Sequence, residues 1–70
     1  MVTLEQIRAR LQEAIRQSGM KQIDIARKIG VHHSAIGFYL SGRAMPALDT
    51  FANLCAALDV DPAYILCLTN

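Results

Sequence analysis

Every long segment of this 70-residue sequence spaces its apolar residues three or four positions apart, and none alternates as a half-buried strand does. That spacing lines one face of an α-helix with apolar side chains. Glycines divide the chain into short segments: Gly19, Gly30 and Gly42. Because short helices are marginal alone, they must pack on one another. The sequence therefore predicts an all-α fold of five short helices around one core, in a single domain of residues 1–70.

Capping residues and apolar stripes predict approximate helix bounds of 4–17, 22–29, 33–40, 48–58 and 62–67. Thr3 caps the first helix, and Gln6 completes a capping box. Asp59 is expected to end the fourth helix in the left-handed conformation, and Asp61 and Pro62 to begin the last. The positions expected to face inward are Leu4, Ile7, Leu11, Ile15, Ile25, Ala26, Ile29, Ile36, Tyr39, Leu40, Phe51, Leu54, Cys55, Leu58, Ile65 and Leu66.

Composition excludes several classes of protein. Apolar residues make up 53% of the chain and charged residues 19%, which is too apolar for a disordered segment. No apolar run approaches the roughly 20 residues of a membrane-spanning helix, so we expect no membrane association. Glu5, Arg8 and Arg10 leave no apolar stretch for a secretory signal, and the predicted location is cytoplasmic. Cys55 and Cys67 lack CxxC spacing and are expected to be reduced packing residues.

The net charge of +1 conceals an uneven distribution along the chain. Residues 16–43 carry five basic residues and one acidic residue, a net charge of +4, whereas residues 44–70 carry −3. A polyanion would therefore be attracted to the middle of the chain rather than to its ends. The alternative is a chance cluster of charges without a partner.

The most informative stretch is 22–40, where two predicted helices lie only about three residues apart around Gly30. So tight a turn suits a residue that tolerates positive φ. Ala26 lies where the two helices would cross, and its small side chain permits close approach. Apolar residues fall on the faces that such a pair would bury: Ile25, Ile29, Val31, Ile36 and Tyr39. Together these features are more specific than any one of them.

The run QIDIARKIGVHHSAI, residues 22–36, resembles the helix-turn-helix of the phage repressor and Cro family, also called XRE-like. The loop 41–46 is similar to that family's connector to its fourth helix, and 58–66 to its last helix. The resemblance covers about residues 4–68. It implies a lambda-repressor-like DNA-binding domain with the helix-turn-helix at about 22–41.

The resemblance also implies how double-stranded DNA would be bound. The second helix of the motif would lie in the major groove, with its N-terminal residues at base edges. The matching base-edge positions are His32, His33, Ser34, Gly37 and Phe38, and the matching phosphate-contact positions are Gln22, Ser41 and Arg43. In the family, a basic residue on the first helix pairs with an acidic residue at the end of the recognition helix. The matching positions here are the apolar Ile15 and Leu40.

The chemistry of these side chains agrees with such an interface. Imidazoles and the Ser34 hydroxyl can bond base edges or phosphates. An outward Phe38 would be explained by a thymine methyl group. Gly37 inside a helix costs about 1 kcal/mol relative to alanine, which suggests a close approach to DNA. The structural alternatives are histidines that only cap a helix, Phe38 in the core, Gly37 without a role, and Gln22 as an ordinary helix start.

Other functions find little support in the sequence. His32 and His33 are expected to point apart and have no obvious third ligand, so no metal is expected. No paired carboxylates, Ser/His/Asp set or phosphate-binding glycine loop is present, so we expect no enzyme activity and no cofactor.

We therefore expect a sequence-specific transcription regulator, specifically a repressor, that binds DNA as a homodimer. The predicted dimer contact is a ridge of Pro62, Ala63 and Tyr64 together with the start of the fourth helix. The alternative is a protein-interaction module, such as an antitoxin or adaptor, that uses the same fold to hold a partner protein. The low net charge favours that alternative.

Overall fold

The computed structural model describes residues 1–70 and contains five helices and no strand. The helices are α1 (Leu4–Gln17), α2 (Gln22–Ile29), α3 (Ala35–Ser41), α4 (Leu48–Leu58) and α5 (Pro62–Ile65). The predicted fold class is confirmed, as are the bounds of α1, α2 and α4. No helix combines the length and the hydropathy needed to cross a membrane.

One apolar core joins the helices. Its buried residues are Leu11, Ile15, Ile25, Ala26, Ile36, Tyr39, Phe51, Leu54, Cys55, Leu58 and Ile65. Helix α2 packs against α3 and α4, and α1 packs against α3 and α5. No polar or charged residue is buried as a whole, although Nε of the half-buried Arg8 is.

The prediction that Leu4 faces inward is wrong. Leu4 is exposed at the first position of α1, and packing against the core begins one turn later, at the half-buried Ile7. The capping box around Thr3 and Gln6 is confirmed, because each side chain bonds the backbone N–H of the other residue. Hydrogen bonds at the helix end, rather than burial, therefore hold the first turn in place.

Helix α2 ends at Gly30 in a left-handed turn. Gly30 has φ +74°, and the N–H of Val31 donates to the Ala26 carbonyl at 3.0 Å. This is the Schellman motif, which favours glycine because a side chain is strained at positive φ. The turn directs the chain from α2 back toward α3, as the sequence predicts.

The same motif closes α3, α4 and α5, with Gly42, Asp59 and Cys67 at positive φ. The prediction for Asp59 is confirmed. The left-handed Cys67 was not expected, and it explains why α5 ends at Ile65 instead of continuing to residue 67. In this last motif the N–H of Leu68 donates to the Ala63 carbonyl at 2.9 Å.

The predicted start of α3 at His33 is wrong, because the helix begins at Ala35 and the linker from α2 spans 30–34. The N–H of Ser34 donates to Nδ1 of His32 at 3.3 Å. Such bonds from the backbone to a nearby side chain compete with helix formation. The two histidines therefore lie in the turn before α3, not within it.

A polar contact from α1 holds the C-terminal end of α3. Nε2 of Gln12 donates to the carbonyls of Tyr39 and Leu40 at 3.2 and 3.0 Å. Carbonyls at a helix end lack partners within the helix. Ile15 is buried and Leu40 half-buried, so apolar packing occupies the positions of the family's ion pair. Gln12 supplies the polar link between these helices, a contact that no sequence pattern predicted.

We expect Gln12→Ala to lower the free energy of unfolding by about 1–2 kcal/mol, because it removes two partly buried hydrogen bonds. Urea denaturation followed by circular dichroism measures the change. Gln17→Ala is the matched control, since Gln17 bonds only the exposed Glu13 one turn away, and it should shift stability by less than about 0.5 kcal/mol. Equal stability of the two variants would contradict a special role for Gln12.

Stability should also depend on pH in the alkaline range. Burial raises the pKa of the Tyr39 phenol, and burial followed by the negative charge of Asp61 raises the pKa of the Cys55 thiol. Both groups ionise at lower pH in the unfolded chain, which then binds fewer protons than the folded state. The free energy of unfolding should therefore fall as pH rises above about 8.5, where the unfolded Cys55 thiol ionises, and fall further above about 10, where the unfolded Tyr39 phenol ionises. Tyr39→Phe should weaken that fall, and a pH-independent free energy of unfolding in the unmodified protein would contradict the prediction.

Candidate nucleic-acid interface

Helix α3 presents one outward stripe built from residues that the sequence singled out. Ser34, the N-cap residue of α3, lies four residues before Phe38, and Gly37 lies four residues before Ser41, a spacing that places side chains on one helix face. The opposite face is anchored by the buried Ile36 and Tyr39. We call these four residues the reading stripe. Burial of the other face leaves this one free to enter a groove.

The turn before α3 brings two imidazoles together. The ring centroids of His32 and His33 lie 4.2 Å apart, so the expectation that the two rings point apart is wrong. The turn at 33–34 folds the backbone so that neighbouring side chains meet. No group of three potential metal ligands includes the pair. Both histidines are exposed beside the start of the reading stripe.

Hydrogen bonds orient the His32 ring. Nδ1 of His32 accepts from the backbone N–H of Ser34 and lies 2.8 Å from the Ser34 hydroxyl oxygen. Since a backbone N–H only donates, the neutral ring carries its proton on Nε2. His32 therefore bonds the backbone of the turn before α3, and its Nε2–H is still available to a ligand. Its role toward DNA stays a prediction.

Phe38 lies on the outer surface with 42% of its area exposed, so the alternative that placed it in the core is wrong. The guanidinium carbon of Arg43 lies 5.6 Å from the centre of the Phe38 ring, within the range of a cation–π contact. The Ser41 hydroxyl donates to the Phe38 carbonyl at 3.1 Å. An apolar ring beside an exposed cation matches a DNA groove in which a thymine methyl group lies close to a backbone phosphate.

Gln22, the first residue of α2, reaches across to α3. Its Oε1 lies 3.3 Å from the position that a Cβ atom of residue 37 would occupy. The close approach expected of Gly37 therefore occurs within the protein. The structure brings Gln22 to the reading stripe, whereas the resemblance placed it only at a phosphate.

Arg8 also lies in this region, although no sequence pattern predicted it. The Cδ atom of Arg8 lies 3.5 Å from the Cβ position of Gly42, at the end of α3. Its Nε is buried without a hydrogen-bond partner. The contact links residues far apart in the sequence, so only the fold reveals it. Arg8 adds a positive charge beside Ser41 and Arg43.

Few of the basic residues are neutralised within the protein. The one ion pair joins Arg27 and Asp24 at 3.8 Å, and both side chains are mostly exposed. Pairs so exposed contribute little to stability. The net +4 of residues 16–43 thus remains available to a polyanion.

The predicted dimer ridge is only partly free. Pro62 and Tyr64 are exposed and Ala63 is half-buried. The guanidinium carbon of Arg10 lies 4.4 Å from the centre of the Tyr64 ring, and its NH1 donates to the Tyr64 and Thr69 carbonyls at 2.6 and 3.0 Å. Arg10 therefore fixes Tyr64 against α1. Whether the ridge contacts a second copy stays a prediction.

Comparisons with known proteins agree with this geometry. A protein-family model described as helix-turn-helix matches residues 11–65. The fold is similar to the crystal structure of the restriction-modification controller protein C.AhdI from Aeromonas hydrophila, with a TM-score of 0.73 and 27% sequence identity over 86% of this chain and 91% of that one. The comparison with curated proteins gave no match. The matched region contains both helices of the motif and the whole reading stripe, and this chain belongs to the helix-turn-helix family of DNA-binding transcription regulators.

Proposed function

We propose that this protein is a sequence-specific repressor that inserts α3 into the major groove of operator DNA as a homodimer. The reading stripe is the observation that carries the proposal. It is outward-facing, contains polar and apolar contact groups, and is held from behind by a buried face. Recognition helices of this kind contact base edges near their N-terminal end.

Each part of the interface has a chemical counterpart on DNA. His33 and Ser34 offer hydrogen-bonding groups to base edges at the start of α3. The exposed Phe38 ring suits a thymine methyl group. Arg43, at the other end of the stripe, suits a phosphate, and the Ser41 hydroxyl would join that contact by releasing its bond to the Phe38 carbonyl. This division follows the general pattern in which phosphate contacts position a protein and base contacts give specificity.

The similarity to a restriction-modification controller supports a role in gene control. Repression requires only that the protein occupy a DNA site that another protein needs, and the reading stripe suffices for occupancy. A homodimer would double the contact area and match a two-fold symmetric operator with half-sites about one helical turn apart. Tyr64 on α5 and Leu48 at the start of α4, which is 86% exposed, are exposed apolar groups at the positions proposed for that contact.

Phe38→Ala should weaken binding to the preferred operator by roughly 1–3 kcal/mol while changing binding to unrelated DNA much less. The operator is first obtained by selecting bound sequences from a random DNA pool. Fluorescence anisotropy at fixed salt then measures both affinities, because phosphate contacts make affinity depend on salt. Leu68→Ala is the matched control, since Leu68 is 69% exposed but lies beyond α5. Equal effects of the two substitutions would show that Phe38 is not at the interface.

Tyr64→Asp should shift the protein from dimer to monomer and weaken operator binding, because it places a charge in the proposed apolar contact. Gel filtration with light scattering at micromolar concentration, with and without operator DNA, measures the assembly. A monomer in both states for the unmodified protein would exclude the dimer. A stoichiometric protein partner combined with no DNA binding would instead support the interaction-module alternative.

A further inference from the structure

The centre of the reading stripe has no side chain of its own. Gly37 lies between Ser34 and Phe38 on the outer face of α3. It is not among the glycines at positive φ, so the backbone does not require glycine there. A glycine in a helix interior costs about 1 kcal/mol relative to alanine. Gly37 thus weakens the helix at a position where a DNA-binding helix would usually carry a side chain that contacts DNA.

Gln22 occupies the space that Gly37 leaves. A Cβ atom at position 37 would lie 3.3 Å from Oε1 of Gln22, tighter than nearly all real contacts of such an atom. An alanine would therefore displace the glutamine side chain by a few tenths of an ångström. The absence of a side chain on α3 lets a side chain from α2 lie over the middle of the stripe.

The Gln22 amide is available to a ligand at this place. The residue is exposed, and the glutamine hydrogen bonds within the protein belong to Gln6, Gln12 and Gln17. A glutamine amide combines a donor and an acceptor, the pattern that matches N6 and N7 of adenine in the major groove. Phosphates offer only acceptors, so a phosphate contact would use only the donor half of this group.

We propose that Gln22 is a specificity-determining residue that reads an adenine-containing base pair opposite Gly37, and that Gly37 is a positioning residue whose missing side chain admits it. The side chain that reads the base pair at the middle of the stripe then comes from α2. Ser34, just before α3, and Phe38, on α3, read the neighbouring base pairs. This inference rests on the proposed DNA binding and assigns a base contact to a residue otherwise expected at a phosphate.

The test selects bound sequences from a random DNA pool with the unmodified protein, Gln22→Ala, Gly37→Ala and the double variant. Gln22→Ala should lose preference at one base pair, with discrimination falling about tenfold or more, the size of a lost bidentate base contact. Gly37→Ala should weaken preference at the same base pair by a smaller factor, because it shifts the glutamine without removing it. In the Gln22→Ala background, Gly37→Ala should cause little further loss, because the displaced side chain is already gone. Circular dichroism should show Gly37→Ala at least as stable as the unmodified protein, since alanine favours the helix.

The outcomes separate this inference from the proposed function. If the unmodified protein selects no sequence, DNA recognition itself fails. If it selects an operator but Gln22→Ala lowers affinity equally for all sequences and reduces the salt dependence, Gln22 contacts a phosphate and the inference is overturned. Independent effects of the two substitutions at different base pairs would overturn the positioning role of Gly37. Phe38→Ala serves as a control, because it should alter preference at a different base pair.

Discussion

The close packing of α2 against α3 determines where every candidate contact residue lies. It depends on two small residues: Ala26, which is almost fully buried, and Gly30, whose left-handed backbone reverses the chain after α2. A larger side chain at position 26 would separate the helices, and a side chain at position 30 would strain the turn. Neither residue touches a ligand in the proposed interface. Their effect is geometric, because they bring the start of α2 alongside the outer face of α3.

Helix α3 is short, and its neighbours hold it at both ends. At its start, Ser34 and His32 bond each other and set where the helix begins. At its end, Gln12 bonds two terminal carbonyls, and the Arg8 side chain packs against Gly42. A helix of this length would not persist alone in water. These contacts and the buried Ile36 give it a fixed position, which is what a base-reading surface requires.

The same fold separates the surfaces available to different partners. Residues of the reading stripe lie on α3 and at its N-cap, with a positive local charge and an exposed aromatic ring. The ridge of Pro62, Ala63 and Tyr64 lies on α5, which packs against α1 rather than α3. A contact between two copies through α5 therefore need not compete with DNA for α3. This arrangement makes simultaneous dimer formation and DNA binding geometrically reasonable.

The amino-acid sequence by itself determined the helical class and the bounds of α1, α2 and α4, whereas it left the exposure of Phe38 open. These follow from local rules, namely apolar spacing, residues that end helices, and which positions on a helix must face inward. Only the tertiary structure decided the contact of Gln22 with Gly37, the bonds from Gln12 and the packing of Arg8, since each joins elements distant in the chain. The late start of α3 was also missed, because a side chain of His32 competed with the helix for a backbone N–H. The spacing of apolar residues indicates which face of a helix is buried. Which side chains meet across two helices depends on how the helices pack, and that spacing does not show it.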